Sequence, residues 1–341
     1  MNPYWGHHFF GFFAILISRI WQGLHGQLTW EDLATDEIQI LVLLLIAASS
    51  VLVGVFLVLR KMTMLANSLS HTVLLGIVIT FLLVGQTQGA PDLKLLILAS
   101  LITSLLTAFA TTWLQRSLRL QEDASVGLVF TTLFALGIIG VTLFLRNAHL
   151  GIETIMGNVD ALHLKDLLLT FYLFLFNACI TLVFYQRYAL MTFDLTLGRN
   201  FGMPTLWLNH LLMIQTAATA IGAFRALGAF LFLAFLVLPP LTARFFTYRL
   251  KSLIFVSYLI GAASSILAVA LSRHTLSVYH TPFSTSGLTT LTLALFFFIG
   301  ILYRYVLKSR LLCVLTVLFK RRHLSLRVRY RSVLSKKEQE L

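Results

Sequence analysis

Apolar stretches recur from about residue 38 to residue 306, separated by short breaks that carry most of the polar and charged side chains. At 1.5 Å rise per residue, about 20 apolar residues cross a hydrocarbon layer of about 30 Å as a helix. The pattern predicts spans over Ile38–Leu59, Met64–Gly85, Leu95–Leu114, Val126–Leu145, Leu167–Tyr185, Thr205–Phe224, Gly228–Ala243, Leu253–Leu271 and Leu288–Val306. The seventh is short. With its neighbour it forms the one ambiguous pair, because the connection at Phe224–Gly228 is brief and Pro239 and Pro240 stand near the end of the seventh span. Adjacent prolines remove backbone donors and bend a helix, which a membrane tolerates where protein or a cavity re-satisfies the carbonyls. The fold class is therefore an all-α integral membrane protein, a bundle of eight to nine transmembrane helices.

Before the first span, Phe9–Ile20 is apolar over about a dozen residues, too short to cross, and reads as an interfacial helix. Thr29 followed by Asp32 predicts a helix start leading into the first span. Residues 1–37 form an arm, 38–306 the membrane domain and 307–341 a basic tail. Between Arg187 and Pro204 the chain mixes apolar and polar residues over a connection long for a bundle, and such loops usually serve a partner or a function.

Composition agrees with this reading. Of 341 residues 58% are hydrophobic and only 11% charged, with a mean hydropathy of +0.87, which excludes an ordinary soluble domain. The net charge of +13 could indicate nucleic acid, but its distribution favours membrane topology. Counted across alternate breaks, 20 of the 26 Lys and Arg fall on the side of Arg60, Lys61, Arg116, Arg187, Arg244 and the tail, and 6 fall on the other. Positive residues favour the cytoplasm, so the N-terminus lies outside and the C-terminus inside. Merging the pair at Phe224–Gly228 would reverse the parity of all that follows and spoil this alternation. Cys179 and Cys313 are far apart in apolar surroundings and read as buried small hydrophobes.

One span carries candidate chemistry. In Leu65–Gly76, Asn67 and His71 are four residues apart and share a helix face, with Ser68, Ser70 and Thr72 beside them. His71 lies about ten residues inside the cytoplasmic break, on the order of 15 Å deep, near mid-bilayer, where transporters hold their substrates. The competing reading is a structural hydrogen bond between helices. Imidazole suits transition ions, and one Asn-x-x-x-His pair cannot complete a shell, so two chains converging on a central path would hold a divalent ion loosely. His7, His8, His25, His149, His163, His274 and His280 all fall on the outer side, which hints at metal capture, although loops hold most polar residues in any case. His210 reads as structural. No phosphate-cradling Gly-rich loop, His-Glu-x-x-His or Gly-x-Ser-x-Gly pattern is present. Nor do paired carboxylates lie within the spans, which lowers the case for a hydrolase or proton-coupled pump.

The run Val53–Met62 followed by Leu69-Ser70-His71-Thr72-Val73-Leu74-Leu75-Gly76 resembles the manganese/zinc/iron permeases of ABC importers. The resemblance continues through Phe193-Asp194, Gly202-Met203-Pro204, Ala226–Leu231 and Leu238–Arg244, covering about residues 40–300. It implies a permease of the bacterial cytoplasmic (inner) membrane, not itself an enzyme. Such a permease moves a divalent manganese, zinc or iron ion, with no tightly bound cofactor. It also implies a second permease chain, a cytoplasmic ATP-binding subunit pair and an extracytoplasmic metal-binding protein, with no nucleic acid partner. By the same resemblance Phe193, Asp194, Gly198, Gly202 and Pro204 belong to the ATPase-coupling loop, Pro239 and Pro240 mark a helix bend, and His71 and Asn67 are the metal-pathway positions. An acidic residue is usual where this chain has Asn67, and the family's Pro-x-Gly element is poorly matched around Pro282–Gly287. The alternative function is an ATPase-independent secondary transporter or channel for a small cation.

Overall fold

The computed structural model describes residues 3–4, 8–25, 32–64, 68, 72, 75–76, 78–80, 82, 93–144 and 159–306. Among these the regular elements are helices: α1 (Phe9–Leu24), α2 (Thr35–Leu59), α3 (Leu93–Ser117), α4 (Glu122–Phe144), α5 (Leu164–Phe193), α6 (Leu195–Asn200), α7 (Thr205–Leu227), α8 (Ala229–Ala243), α9 (Leu250–Tyr279) and α10 (Thr285–Val306). Five of them, α2, α5, α9, α10 and residues Ala124–Leu143 of α4, are long and apolar enough to cross a membrane. The predicted spans fall on these helices with ends extended by a few residues. The second falls on residues 63–82, whose described positions are helical.

The hub is α2. It packs against α5, α7, α8 and α9, and most of its length is buried inside the chain. Its first turn carries Asp36 and Glu37 at the positive end of the helix dipole. The Glu37 carboxylate accepts a hydrogen bond from the Ala34 amide at 2.9 Å. The helix therefore starts at Thr35 rather than from Asp32, because Glu37 supplies the reciprocal half of a capping box.

Helix α5 begins at His163, whose amide donates to Asp166 Oδ2 at 3.1 Å, and runs well past the predicted Tyr185 end. Residues 187–193, read from sequence as part of a loop, are helix. Nothing stops a helix at the membrane edge while its backbone bonds remain paired, and the stop comes at Asp194 in extended geometry.

Helices α7 and α8 are separate elements. Gly228 between them has φ +83°, a conformation that costs glycine little and disfavours any L side chain. Pro239 and Pro240 lie inside α8, which continues to Ala243. They leave the carbonyls of Phe235 and Leu236 without their helical donors.

Buried hydroxyls are numerous, and the helices absorb many of them locally. Thr107, Thr170, Thr216, Thr219, Ser257 and Ser265 each donate to the carbonyl four residues back. Other polar groups bridge helices. Asn177 Nδ2 of α5 donates to Thr219 Oγ1 of α7 at 2.8 Å, and the Tyr188 hydroxyl donates to Gln215 Oε1 at 2.8 Å. Arg60 Nη1 donates to Asn209 Oδ1 at 2.6 Å, tying the end of α2 to α7. Cys179 is exposed on α5 rather than buried, and Cys313 lies outside the described residues.

The amphipathic α1 packs on α9, with Tyr4 and Phe12 fully buried and Phe10 and Trp21 exposed.

Candidate functional site

The positions expected to line a metal path, Asn67 and His71, lie outside the described residues. Their chain neighbours Ser68 and Thr72 are both buried, and the Ser68 hydroxyl makes no hydrogen bond among the described residues. A buried hydroxyl without a partner is costly in an apolar interior. Further along, Val78 rests on α4 at Gly140, where a Cβ would come within 2.6 Å of Val78 Cγ1. At the other end Thr63 and Met64 face α8 across a cleft of about 370 Å³ lined by Phe230, Leu233, Ala234, Val237 and Leu238. The described wall of this cleft is almost wholly apolar, and no group of three His, Cys, Asp or Glu that would hold a metal occurs among the described residues.

The segment expected to couple to an ATPase lies wholly within the described residues. Asp194 caps the short helix α6, its Oδ1 accepting from the amides of Thr196 and Leu197 at 2.9 Å each. The turn after α6 closes through Gly202, at φ +70°, whose amide donates to the Arg199 carbonyl at 2.9 Å, while the Met203 amide donates to the Gly198 carbonyl at 3.1 Å. Pro204 then stands as the N-cap of α7. Gly198 is buried, and Phe193, Leu197 and Phe201 are exposed. Three large apolar side chains are thus exposed around a tightly closed turn. The sequence singled out Phe193, Asp194, Gly198, Gly202 and Pro204 and passed over Leu197 and Phe201.

A third cluster was missed. Asp36 and Glu37 are nearly inaccessible, and each has a cation: Arg273 of α9 bonds Asp36, and Arg19 of α1 bonds Glu37. The Tyr4 hydroxyl donates to Glu37 Oε1 at 2.8 Å, and Arg19 Nη2 donates to the Asp32 carbonyl at 2.7 Å. Burial, followed by the bond to Glu37, pushes the Tyr4 phenol well above its ordinary range. The same carboxylate holds Arg19 charged. Close by in the chain, Thr285 of α10 bonds Asp160 and lies 3.1 Å from Ser272. No local motif announces these pairs, since the partners of Glu37 and Asp36 lie 18 and 237 residues away.

Two of the outer histidines come near each other, His8 and His274, with ring centroids 6.3 Å apart. The others described serve backbone roles. His25 Nδ1 lies 2.9 Å from the Trp21 carbonyl, His163 caps α5, and His280 ends α9 at φ +51°. His7 and His149 lie outside the described residues.

A family model described as "ABC 3 transport family" matches residues 37–304. A probable metal transport system membrane protein of Chlamydia muridarum is 35% identical over 312 residues, covering 92% of this chain and 97% of its own. The manganese transport system membrane protein MntD of Bacillus subtilis is 34% identical over 236 residues, covering 65% and 78%. Among solved structures, PsaBC from Streptococcus pneumoniae in complex with Fab superposes with a TM-score of 0.67 at 24% identity, over 83% of this chain and 95% of that one. At that identity the likeness speaks to the fold.

Proposed function

The chain belongs to the ABC 3 transport family, and from that premise we propose that it is the permease subunit of an importer for a divalent transition metal, manganese, zinc or iron, powered by ATP hydrolysis on a separate subunit. Similarity to relatives named for metal and manganese transport supports the cargo. The chain sits in the bacterial inner membrane with its N-terminus outside, an orientation supported by the bias of Lys and Arg. A second permease chain completes the path, and an extracytoplasmic protein delivers the ion.

The observation that carries the coupling step is the Asp194-capped turn with Phe193, Leu197 and Phe201 exposed. A coupling element has to transmit a push without deforming. A capped helix closed by Gly202 and anchored to the end of α5 and the start of α7 meets that need. His71 serves as the better metal-pathway group and Asn67 as a weak neutral one, so the ion is held loosely enough to be released.

The test is a pair of variants in the assembled transporter. A cysteine replacing Phe201 crosslinks to the nucleotide-binding partner, and His71→Ala lowers metal uptake while the protein stays at normal abundance in the membrane. Crosslinks that reach no ATP-binding chain remove the coupling role, and unchanged uptake in His71→Ala returns that histidine to packing.

A further inference from the structure

On the face of α2 turned away from α8, a long groove opens between α2, α5 and α9. Its volume is about 870 Å³. Along α2 it is lined by Leu41, Leu44, Leu45, Ala48, Val51 and Leu52, positions that recur every three or four residues and so share one side of the helix. Gly54 and Ala47 lie on the opposite side, Gly54 against Leu236 of α8 and Ala47 against Gly261 of α9. The α5 wall runs from Phe174 to Tyr185 and the α9 wall from Lys251 to Tyr258. Both α2 and α5 contribute about 11 residues of length, roughly 16 Å, which matches one leaflet of a hydrocarbon core about 30 Å thick.

The two ends of the groove differ. One is wholly apolar, at Leu41, Leu44 and Phe174. The other carries Lys251, with the phenol of Tyr185 on the facing wall and Tyr258 two turns along α9. Lys251 is exposed and pairs with no carboxylate among the described residues. Arg249 precedes it and no acidic residue stands in the first turn of α9, so the local charge is positive and uncompensated. An apolar slot one leaflet long, ending at the membrane edge in a free cation that faces the Tyr185 phenol, has the shape and charge of a lipid rather than of a helix. Basic pockets between membrane helices bind anionic headgroups in the same way.

We propose that this groove is a binding site for an anionic phospholipid, its acyl chain along Leu41–Leu52 of α2 and its headgroup phosphate on Lys251. This goes beyond the transport reading and does not depend on which ion is carried. The lipid would fill a face of the hub helix that the described helices leave open, so occupancy is expected to steady α2 against α5 and α9.

Native mass spectrometry of the full chain in mild detergent, titrated with dioleoyl phosphatidylglycerol or dioleoyl phosphatidylcholine, tests the assignment. Phosphatidylglycerol should bind roughly fivefold more tightly, the selectivity that one near-surface basic residue supplies. Lys251→Ser should bring the two lipids to near-equal affinity. Ala48→Phe, which fills the middle of the slot, should weaken both, and Ala178→Phe from the opposite wall provides the same block should the first variant fold poorly. Equal binding of the two lipids to the unsubstituted chain overturns the proposal, as does a preference that survives Lys251→Ser. Disulfide capture of a second copy by Ala48→Cys in a Cys179→Ser, Cys313→Ser background would also overturn it and give the groove to a protein neighbour.

Discussion

Gly54 of α2 lies directly against the backbone carbonyl of Leu236 in α8, and a Cβ at residue 54 would overlap that oxygen. Pro240 removes the amide that would ordinarily bond the Leu236 carbonyl, so the oxygen is presented sideways to α2. The proline on one helix and the glycine on the other are two halves of a single contact, in which a Cα–H meets an acceptor deprived of its donor.

From this contact, Gly54→Ala should destabilise the chain by about 1–3 kcal/mol, the usual cost of forcing extra volume into a packed interface. Gly127→Ala is the matched control, because a Cβ there meets nothing within 4 Å. Thermal unfolding in detergent should show a lowered midpoint for the first and none for the second. Equal midpoints would mean that α8 shifts at no cost.

The ion pair between Asp36 and Arg273 predicts a strongly non-additive cycle. Arg273→Ala removes the guanidinium that bonds a carboxylate 1% exposed, a loss of about 3–5 kcal/mol. Adding Asp36→Asn to that variant should recover part of the loss, since the buried negative charge is then gone. Denaturation of the two single variants and the double measures the coupling, and strict additivity would sink the pair as a structural unit.

How much of this was legible beforehand depends on the range over which each feature is encoded. Span positions were readable because apolarity is local, and so was the break at Gly228, which the alternation of basic loops required. The segment after α5 also stood out as a local exception, whereas the positions around His71 lie outside the described residues. The hub role of α2 was not readable: its apolar run looks like the others, and only packing distinguishes a helix touched by four neighbours. Nor were the partners of Asp36, Glu37 and Leu236, which come from α9, α1 and α2. The extension of α5 to Phe193 was missed because composition changes at the membrane edge while backbone hydrogen bonding does not.

Asp194 yields a prediction about coupling. Asp194→Ala removes the acceptor of two amides and should weaken the α6 start by about 1 kcal/mol, whereas Asp194→Asn keeps the cap. In the assembled transporter, cargo-stimulated ATP hydrolysis should fall severalfold for the alanine variant and stay near normal for asparagine. Identical behaviour of the two would separate the cap from coupling.

The Tyr4–Glu37–Arg19 contact predicts an alkaline transition of the arm. The Tyr4 phenol is raised, so the folded chain keeps a proton that an unfolded arm releases above about pH 10. The stabilisation is complete below that pH and is lost as pH rises beyond it. Subtilisin cleavage within the arm should therefore accelerate as pH rises above about 10, and Tyr4→Phe should flatten the dependence. An acceleration that persists in the phenylalanine variant would assign it to another group.

The separation of 237 residues between Asp36 and Arg273 also has a meaning in time. Synthesis proceeds at about 5–20 residues per second, so roughly 10 to 50 s pass between the emergence of α2 and that of its counter-ion. During that interval the most central helix of the bundle is already made, while α5, α8 and α9, which will enclose it, are not. The hub is thus made early, preceded among the described helices by α1 alone, and its enclosure waits until α9 has left the ribosome.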